Sequence, residues 1–143
     1  MTTFVLDVSV AAKWVLPAAD EHHRTEAFQL LEDYTANRVL FIVPDIFWPE
    51  FGNVLWKAVR QGRQSRQSAE VAIACMRERN FASVPSPELL PEALTIAVAF
   101  GRTVYDSLYL ALANTLKCEV ITADERLVNA LAAHFPVKWL GTL

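Results

Sequence analysis

Glycine and cysteine are both scarce in this 143-residue chain, and each shortage excludes a kind of site. The four glycines, at positions 52, 62, 101 and 141, are too far apart to form a glycine-rich phosphate loop. Cys75 and Cys118 belong to no Cys-x-x-Cys or Cys/His metal motif, so we expect two buried reduced thiols. The three histidines, His22, His23 and His134, form no Ser/His/Asp or Cys/His arrangement and are expected at the surface, the first two on a helix. The chain therefore lacks the usual marks of nucleophilic catalysis and of zinc binding.

Long apolar runs and an excess of positive charge are missing as well. No stretch reaches about 18 apolar residues, so no membrane span is predicted. The N-terminus has no basic region, and Asp7 and Lys13 interrupt its apolar run, which makes it a poor signal peptide and predicts a cytoplasmic protein. With 13 Lys and Arg against 16 Asp and Glu, the net charge of −3 gives no argument for nucleic-acid binding from bulk charge.

The hydrophobic fraction of 53% and the charged fraction of 20% are typical of a globular protein, and we expect one domain over residues 1–143. Strands are predicted at residues 4–6, 40–43, 81–84, 119–122 and 137–140. Helices are predicted at residues 8–16, 20–38, 47–61, 65–80, 86–101, 104–117 and 125–133, with Asp20 and Ser86 as caps. Short apolar strands that alternate with longer helices predict an α/β fold, a central parallel sheet of four to five strands flanked by helices on both faces.

Two acidic residues follow predicted strands. Asp7 ends the apolar run Phe4-Val5-Leu6, and Asp124 comes just after Val120-Ile121-Thr122. The carboxyl ends of parallel strands are where open α/β sheets bind ligands, so both carboxylates are candidates for a metal site. Each could instead cap the helix that follows, and for Asp124 a capping box from Thr122 to Glu125 is a further alternative.

Two more acidic residues lie at the beginning of predicted helices. Glu50 borders the apolar stripe of its helix on the same side as Asn53 and Lys57, and the helix dipole alone could account for an acid there. Asp106 is part of a Thr-x-x-Asp capping pattern, yet it also projects with Tyr109 onto a face expected to be buried. A carboxylate on a buried face is costly unless it is paired, capped or bound to a metal.

Together the four acids, Asp7, Glu50, Asp106 and Asp124, can face one cleft. Ligands that are all oxygen, with no histidine or cysteine partner, indicate Mg²⁺ or Mn²⁺. Carboxylates so close together would repel one another without a cation, and at least one should have a raised pKa. A basic run, Lys57, Arg60, Arg63 and Arg66, is either a solvated helix end or a grip for phosphates beside the cleft.

Four segments carry a resemblance to a known family. They are Val5-Leu6-Asp7-Val8-Ser9, Pro49-Glu50-Phe51-Gly52-Asn53-Val54-Leu55, Tyr105-Asp106-Ser107-Leu108-Tyr109-Leu110-Ala111 and Ile121-Thr122-Ala123-Asp124. In order and spacing they resemble the acidic motifs of PIN-domain ribonucleases, most closely the VapC-type toxins of toxin–antitoxin pairs. The resemblance implies a Mg²⁺- or Mn²⁺-dependent endoribonuclease with Asp7, Glu50, Asp106 and Asp124 as catalytic and metal-binding acids. It assigns Ser9, Asn53 and Thr122 as their polar neighbours.

The same resemblance implies an RNA substrate, a homodimer and a small VapB-like antitoxin whose tail covers the acidic cleft. Two alternatives remain open. One is a PIN-like module that binds RNA or a protein without catalysis. The other is a phosphoryl-accepting receiver-like domain, which would need a lysine after a late strand near the acids, whereas Lys138 lies inside the last predicted strand.

Overall fold

A parallel β-sheet forms the centre of the molecule. The computed structural model describes residues 1–17 and 21–143, and within them five strands pair in the order β3-β2-β1-β4-β5. Every pairing is parallel. The strands are β1 (Thr2–Leu6), β2 (Val39–Pro44), β3 (Ala82–Val84), β4 (Glu119–Thr122) and β5 (Val137–Trp139). The predicted α/β fold with a central parallel sheet is confirmed.

Seven α-helices connect these strands in the described part of the chain. They are α1 (Val8–Val15), α2 (Arg24–Thr35), α3 (Phe47–Arg60), α4 (Arg66–Glu78), α5 (Ser86–Phe100), α6 (Val104–Leu116) and α7 (Glu125–Leu131), and a 3₁₀ turn (Leu140–Thr142) follows β5. Successive connections run from β1 through β2 to β3 and then return to β4 on the other side of β1. Because parallel crossovers are right-handed, this reversal puts helices on opposite faces of the sheet, and it opens a crevice at the carboxyl ends of β1 and β4.

The core explains why the central strand is apolar without alternation. Val5 and Leu6 of β1 are fully buried, as is Ile121 of β4. Helix α6 packs across β1, β2 and β4, and it is buried continuously from Ser107 to Ala113, as its sequence predicted. Strands covered on both faces need side chains that are apolar on both faces.

Five helices, α2 to α6, are each followed within two residues by a residue in the left-handed conformation, and this accounts for several boundaries. Asn37 has φ 60°, Gly62 has φ 73° and Lys117 has φ 53°. After α2, the N–H of Arg38 donates to the carbonyl of Asp33 and that of Asn37 to the carbonyl of Tyr34, the pattern of a Schellman cap. Helix α2 therefore ends at Thr35 and not at Arg38, because Asn tolerates the left-handed turn that stops it.

The sequence predicts two helix caps, Asp20 and Ser86, and two surface histidines on a helix, His22 and His23. Asp20, the predicted cap of α2, lies outside the described residues. His22 and His23 are exposed as expected, but they precede α2, with His23 at φ 57°. Ser86 does not cap α5; it lies in the first turn, and its hydroxyl donates to Asp45.

The expectation of two buried thiols is wrong. Cys75 is exposed on α4, because it lies beside the buried stripe of Ala69, Ala72 and Met76 and not within it. Cys118 is partly buried, and burial raises the pKa of its thiol. Both cysteines are free.

No single helix among the described residues is long and apolar enough to cross a membrane. Helices α5 and α6 reach the required length and apolar content only as a pair, and they meet at an angle of 116°.

The buried face of α6 gives a direct test of this packing. Leu110 is 1% exposed, whereas Leu116, at the end of the same helix, is 43% exposed. We expect Leu110→Ala to lower the free energy of unfolding by about 2–5 kcal/mol, because it leaves a cavity beside the sheet. Leu116→Ala should lower it by no more than about 1 kcal/mol. Denaturant unfolding measures both, and equal losses would contradict the placement of α6.

Candidate active site

The site begins with the register between β1 and β4. Leu6 pairs with Ile121, so the next residue, Asp7, lies beside Thr122. The backbone N–H of Asp7 continues the pairing by donating to the carbonyl of Ile121 at 3.1 Å. Asp7 thus leaves the sheet at the crevice where the strand order reverses.

The carboxylate of Asp7 is not a helix cap, although Asp7 occupies the position before α1. Its Oδ2 accepts hydrogen bonds from the Ser9 hydroxyl at 2.5 Å and from the Thr122 hydroxyl at 2.8 Å. Among the described residues, its Oδ1 accepts none. The capping alternative for Asp7 is therefore wrong, because its carboxylate accepts from two side-chain hydroxyls and from no backbone N–H of the first turn of α1.

Backbone groups orient both hydroxyls. The N–H of Ala123 donates to Ser9 Oγ at 3.0 Å, and the N–H of Asp124 donates to Thr122 Oγ1 at 3.1 Å. A hydroxyl has a single proton, so a hydroxyl that accepts from an N–H can direct its own proton to Asp7. Ser9 and Thr122 thus hold the Asp7 carboxylate in one orientation.

Asp124 caps α7 from the same end of β4. It is exposed, and its Oδ1 accepts from the N–H of Arg126 at 3.1 Å and from that of Leu127 at 3.3 Å. The cap interpretation of Asp124 is confirmed. The alternative capping box from Thr122 to Glu125 is wrong, because the Thr122 hydroxyl is used between Asp124 and Asp7.

Glu50 is partly buried in the first turn of α3, and a tyrosine from α6 fixes it. The Tyr109 hydroxyl donates to Glu50 Oε1 at 2.7 Å. Tyr109 is 4% exposed, and the neighbouring acids together with burial raise its pKa well above the ordinary value. It therefore stays protonated and acts only as a donor. Asn53, one turn further along α3, is exposed.

Asp106 stands at the start of α6, where the capping pattern seen in the sequence is real. Thr103 Oγ1 accepts from the backbone N–H of Asp106 at 3.1 Å. The carboxylate is partly buried, so desolvation raises its pKa; the charge of Arg102 lowers it, and the charge of Asp124 raises it further.

The four acids share one electrostatic environment. Burial is the largest cause of the raised pKa of Asp7. Hydrogen bonds from Ser9 and Thr122 oppose the rise, and the charges of Asp106 and Asp124 add to it. Burial also raises the pKa of Glu50, opposed by the hydrogen bond from Tyr109 and reinforced by Asp7 and Asp106. The sequence-based expectation of raised pKa values in this cluster agrees with these shifts.

The structure does not, however, bring the acids into direct contact. Within residues 1–17 and 21–143, no three His, Cys, Asp or Glu side chains are close enough together to hold a metal ion by themselves. The donor set nevertheless fits a small hard cation. Magnesium is usually held by one or two carboxylates and keeps several of its waters, so the remaining acids can act through water. The negative charges of these carboxylates raise one another's pKa, and a divalent cation between them would stabilise their ionised forms.

Sequence reasoning missed two residues of the site. Tyr109 orients Glu50 by donating a hydrogen bond to it. Its position one turn after Asp106 on α6 was the feature of the sequence that could have placed it in the site. Arg102 balances part of the charge of Asp106, although it precedes the helix and belongs to no motif. In the basic run, Arg60 lies over the ring of Trp56 and Arg66 pairs with Glu70.

A parallel α/β sheet with acidic residues at its carboxyl edge defines the class of this protein, an α/β domain with an acidic cleft. The PIN domain model matches residues 4–131, and the chain belongs to the PIN domain family. The chain is also similar to Ribonuclease VapC3 of Pyrobaculum aerophilum, at 27% identity over 132 residues that cover 90% of this chain and 95% of that protein.

Solved structures share the fold. PAE2754 from Pyrobaculum aerophilum matches with a TM-score of 0.68 and 21% identity, over 99% of this chain and 92% of that one. A toxin–antitoxin complex from Klebsiella pneumoniae matches with a TM-score of 0.58 and 18% identity, over 94% of this chain and 95% of that one. VapBC2 from Rickettsia felis, bound to a DNA fragment from its promoter, matches with a TM-score of 0.65 and 11% identity, over 96% of this chain and 98% of that one.

The raised pKa values predict how stability depends on pH. A carboxyl whose folded pKa lies above its unfolded value costs stability as the pH rises through that interval. Asp7→Asn removes this cost while keeping an oxygen for Ser9 and Thr122. In the presence of a chelator we expect Asp7→Asn to have a higher Tm than the wild type, and by more at about pH 7 than at about pH 4.

Asp33→Asn is the matched control for that comparison. The Arg38 guanidinium hydrogen-bonds to Asp33 and lowers the pKa of its carboxyl, so the sign is reversed. Its Tm should equal that of the wild type or fall slightly below it near neutral pH. An Asp7→Asn advantage that does not grow with pH would contradict the electrostatic account.

Proposed function

We propose that this protein is a divalent-metal-dependent endoribonuclease that hydrolyses RNA phosphodiester bonds, the toxin of a type II toxin–antitoxin pair. One observation carries the proposal: the Asp7 carboxylate, held on one oxygen by Ser9 and Thr122, interacts electrostatically with Asp106, Asp124 and Glu50. A simple structural role for Asp7 would need neither the two hydroxyls nor the costly neighbours. Membership of the PIN family and the similarity to a ribonuclease support the same reading.

In this proposal each acid has a distinct position around a Mg²⁺ or Mn²⁺ ion. Asp7 would hold the cation through Oδ1, because Oδ2 already accepts from two hydroxyls. Asp106 and Asp124, whose charges act on Asp7, would hold it directly or through water. Glu50, which accepts a hydrogen bond from Tyr109, would act through water. Asn53, exposed on the same side of α3 as Glu50, would contact the substrate.

When bound, the cation lowers the pKa of water and offsets negative charge that develops on the phosphate. The side chains do the positioning. Ser9 and Thr122 favour the ionised form of the Asp7 carboxylate by donating to it, and so oppose the effect of burial on its pKa. Glu50, whose pKa is raised by burial, is suited to accept a proton from water in the cleft.

The partners follow from the toxin interpretation. A small antitoxin would cover the acidic cleft, in keeping with the toxin–antitoxin structures that share this fold. Expression of the protein with and without the neighbouring reading frame tests the toxin interpretation. Growth arrest that the neighbour relieves supports a toxin, whereas unchanged growth opposes it.

The homodimer stays a prediction. Leu90, Leu94 and Val98 form an exposed apolar stripe on α5 at helical spacing, a kind of surface that often marks association.

Cleavage by the Asp7→Asn variant tests the reaction. We expect it to cut single-stranded RNA more than about 100-fold more slowly than the wild type, with Mg²⁺ or Mn²⁺ present, because a neutral amide cannot hold the cation. Asp33→Asn, the same change at a partly exposed position on α2, should cut at the wild-type rate. Full activity of a folded Asp7→Asn protein would sink the assignment of Asp7. No cleavage by the wild-type protein with the metal present would instead favour a PIN-like module without catalysis.

The hydrogen bond between Tyr109 and Glu50 predicts a coupled effect. Tyr109→Phe removes the donor and keeps the ring, so we expect a fall in cleavage rate of about 10-fold as Glu50 loses its fixed position. In a Glu50→Gln background the same change should have little further effect. Cleavage rates of the four proteins form the cycle. Fully additive losses would show that Tyr109 acts independently of Glu50.

A further inference from the structure

A groove of about 340 Å³ runs beside the acidic cleft, between α3 and the beginning of α6. Its floor is aliphatic and consists of Val8, Ile46, Pro49 and Val54. The four floor residues come from the first turn of α1, the segment before α3 and α3 itself, so the floor rests on elements that are anchored in the core. The α3 groove, as we call it, is therefore a preformed surface.

Three of the four acidic segments contribute to this groove. Val8 directly follows Asp7, and Tyr105 directly precedes Asp106. Glu50 lines the groove itself, while its carboxylate interacts electrostatically with Asp7 and Asp106. A group that occupies the α3 groove is thus next to any phosphate that is bound among the acids.

The rim of the groove carries an aromatic ring and an amide. Tyr105 is 60% exposed in the first turn of α6, although an exposed aromatic ring gains little from the fold. Asn53 is also exposed, and its side-chain amide has both a donor and an acceptor. A flat ring, an aliphatic floor and one amide match an unpaired nucleobase, which stacks on aromatic side chains and hydrogen-bonds through its edge.

The charge of the site favours a base over a phosphate here. Glu50 would repel a phosphate placed in the groove, and the floor offers it no donor. A base is neutral and can bury its faces against the floor and the ring. The volume suits a single planar group better than a row of side chains from a protein helix, which would need a longer apolar channel.

We propose that the α3 groove binds one unpaired nucleobase of the RNA substrate, adjacent to the phosphate that is cut, with Tyr105 stacking on the base and Asn53 hydrogen-bonding to its edge. This inference rests on the proposed function and adds to it a base-binding position beside the acids. A base can enter the groove only when it is unpaired and unstacked. The substrate is therefore single-stranded at the cleavage site, and the amide of Asn53 contributes to the choice of base.

Binding measurements on the inactive Asp7→Asn protein test the groove separately from catalysis. The probe is a short fluorescent single-stranded RNA of mixed sequence, compared with the same RNA annealed into a duplex, by fluorescence anisotropy. We expect Tyr105→Ala in this background to weaken single-strand binding by roughly 5- to 100-fold, since stacking is lost, and Tyr105→Phe to retain it. The parent should prefer the single strand to the duplex.

In the active protein, Tyr105→Ala should raise KM for the single-stranded RNA with a smaller change in kcat. Asn53→Ala should alter the relative cleavage rates of RNAs that differ in one base. Phe28→Ala, an aromatic residue on α2 that does not line the groove, is the matched control and should leave both constants unchanged. Thermal unfolding of each variant verifies that it is folded.

Two results would overturn the inference. One is equal RNA affinity of Tyr105→Ala and its parent, or no measurable RNA binding at all. The other is unchanged RNA affinity together with weaker relief of growth arrest by the neighbouring reading frame, which would assign the groove to a protein partner. If the wild-type protein does not cleave RNA but binding is intact and depends on Tyr105, the proposed reaction is wrong and the groove assignment stands.

Discussion

The pairing of Leu6 with Ile121 fixes Asp7 next to Thr122, and the acidic cleft depends on that register. A slip of one residue would turn Asp7 to the other face of the sheet and bury a polar residue in the core. The slip is prevented because Val5, Leu6 and Ile121 are buried under helices on both faces. The apolar packing of the central strand therefore determines where the carboxylate stands, and the two hydroxyls determine how it is oriented.

This arrangement costs stability. Asp7, Glu50 and Asp106 all have raised pKa values because burial and like charges disfavour their ionised forms. Nearby donors reduce the cost but do not remove it: Ser9 and Thr122 act on Asp7, and Tyr109 acts on Glu50. Such strain, localised where the fold provides a crevice, is typical of functional sites. A divalent cation among the acids would offset the repulsion, so binding and stability are linked in this account.

Much of this could be predicted from the sequence, because the strongest signals are local. Apolar runs without alternation gave β1 and β4 with their acids at the carboxyl ends, and four motifs in order indicated the PIN family. The missing parts depend on tertiary contacts. Nothing near Asp7 shows that its carboxylate accepts from Thr122, which is 115 residues away, and not from the backbone N–H groups of its own helix. The bond from Tyr109 to Glu50 joins two helices that only the folded sheet brings together. The end of α2 at Thr35 depended on a left-handed Asn37 that periodicity does not reveal.

The central claim is that Asp7 anchors a site for a divalent cation, and calorimetric titration with Mn²⁺ tests it most directly. The wild-type protein, freed of metal beforehand, should bind Mn²⁺ in the millimolar range or tighter, with protons released when the pH lies near the raised pKa values of the acids. The Asp7→Asn protein should show no such binding under the same conditions. Equal binding by both proteins, or no binding by the wild type, would contradict the account.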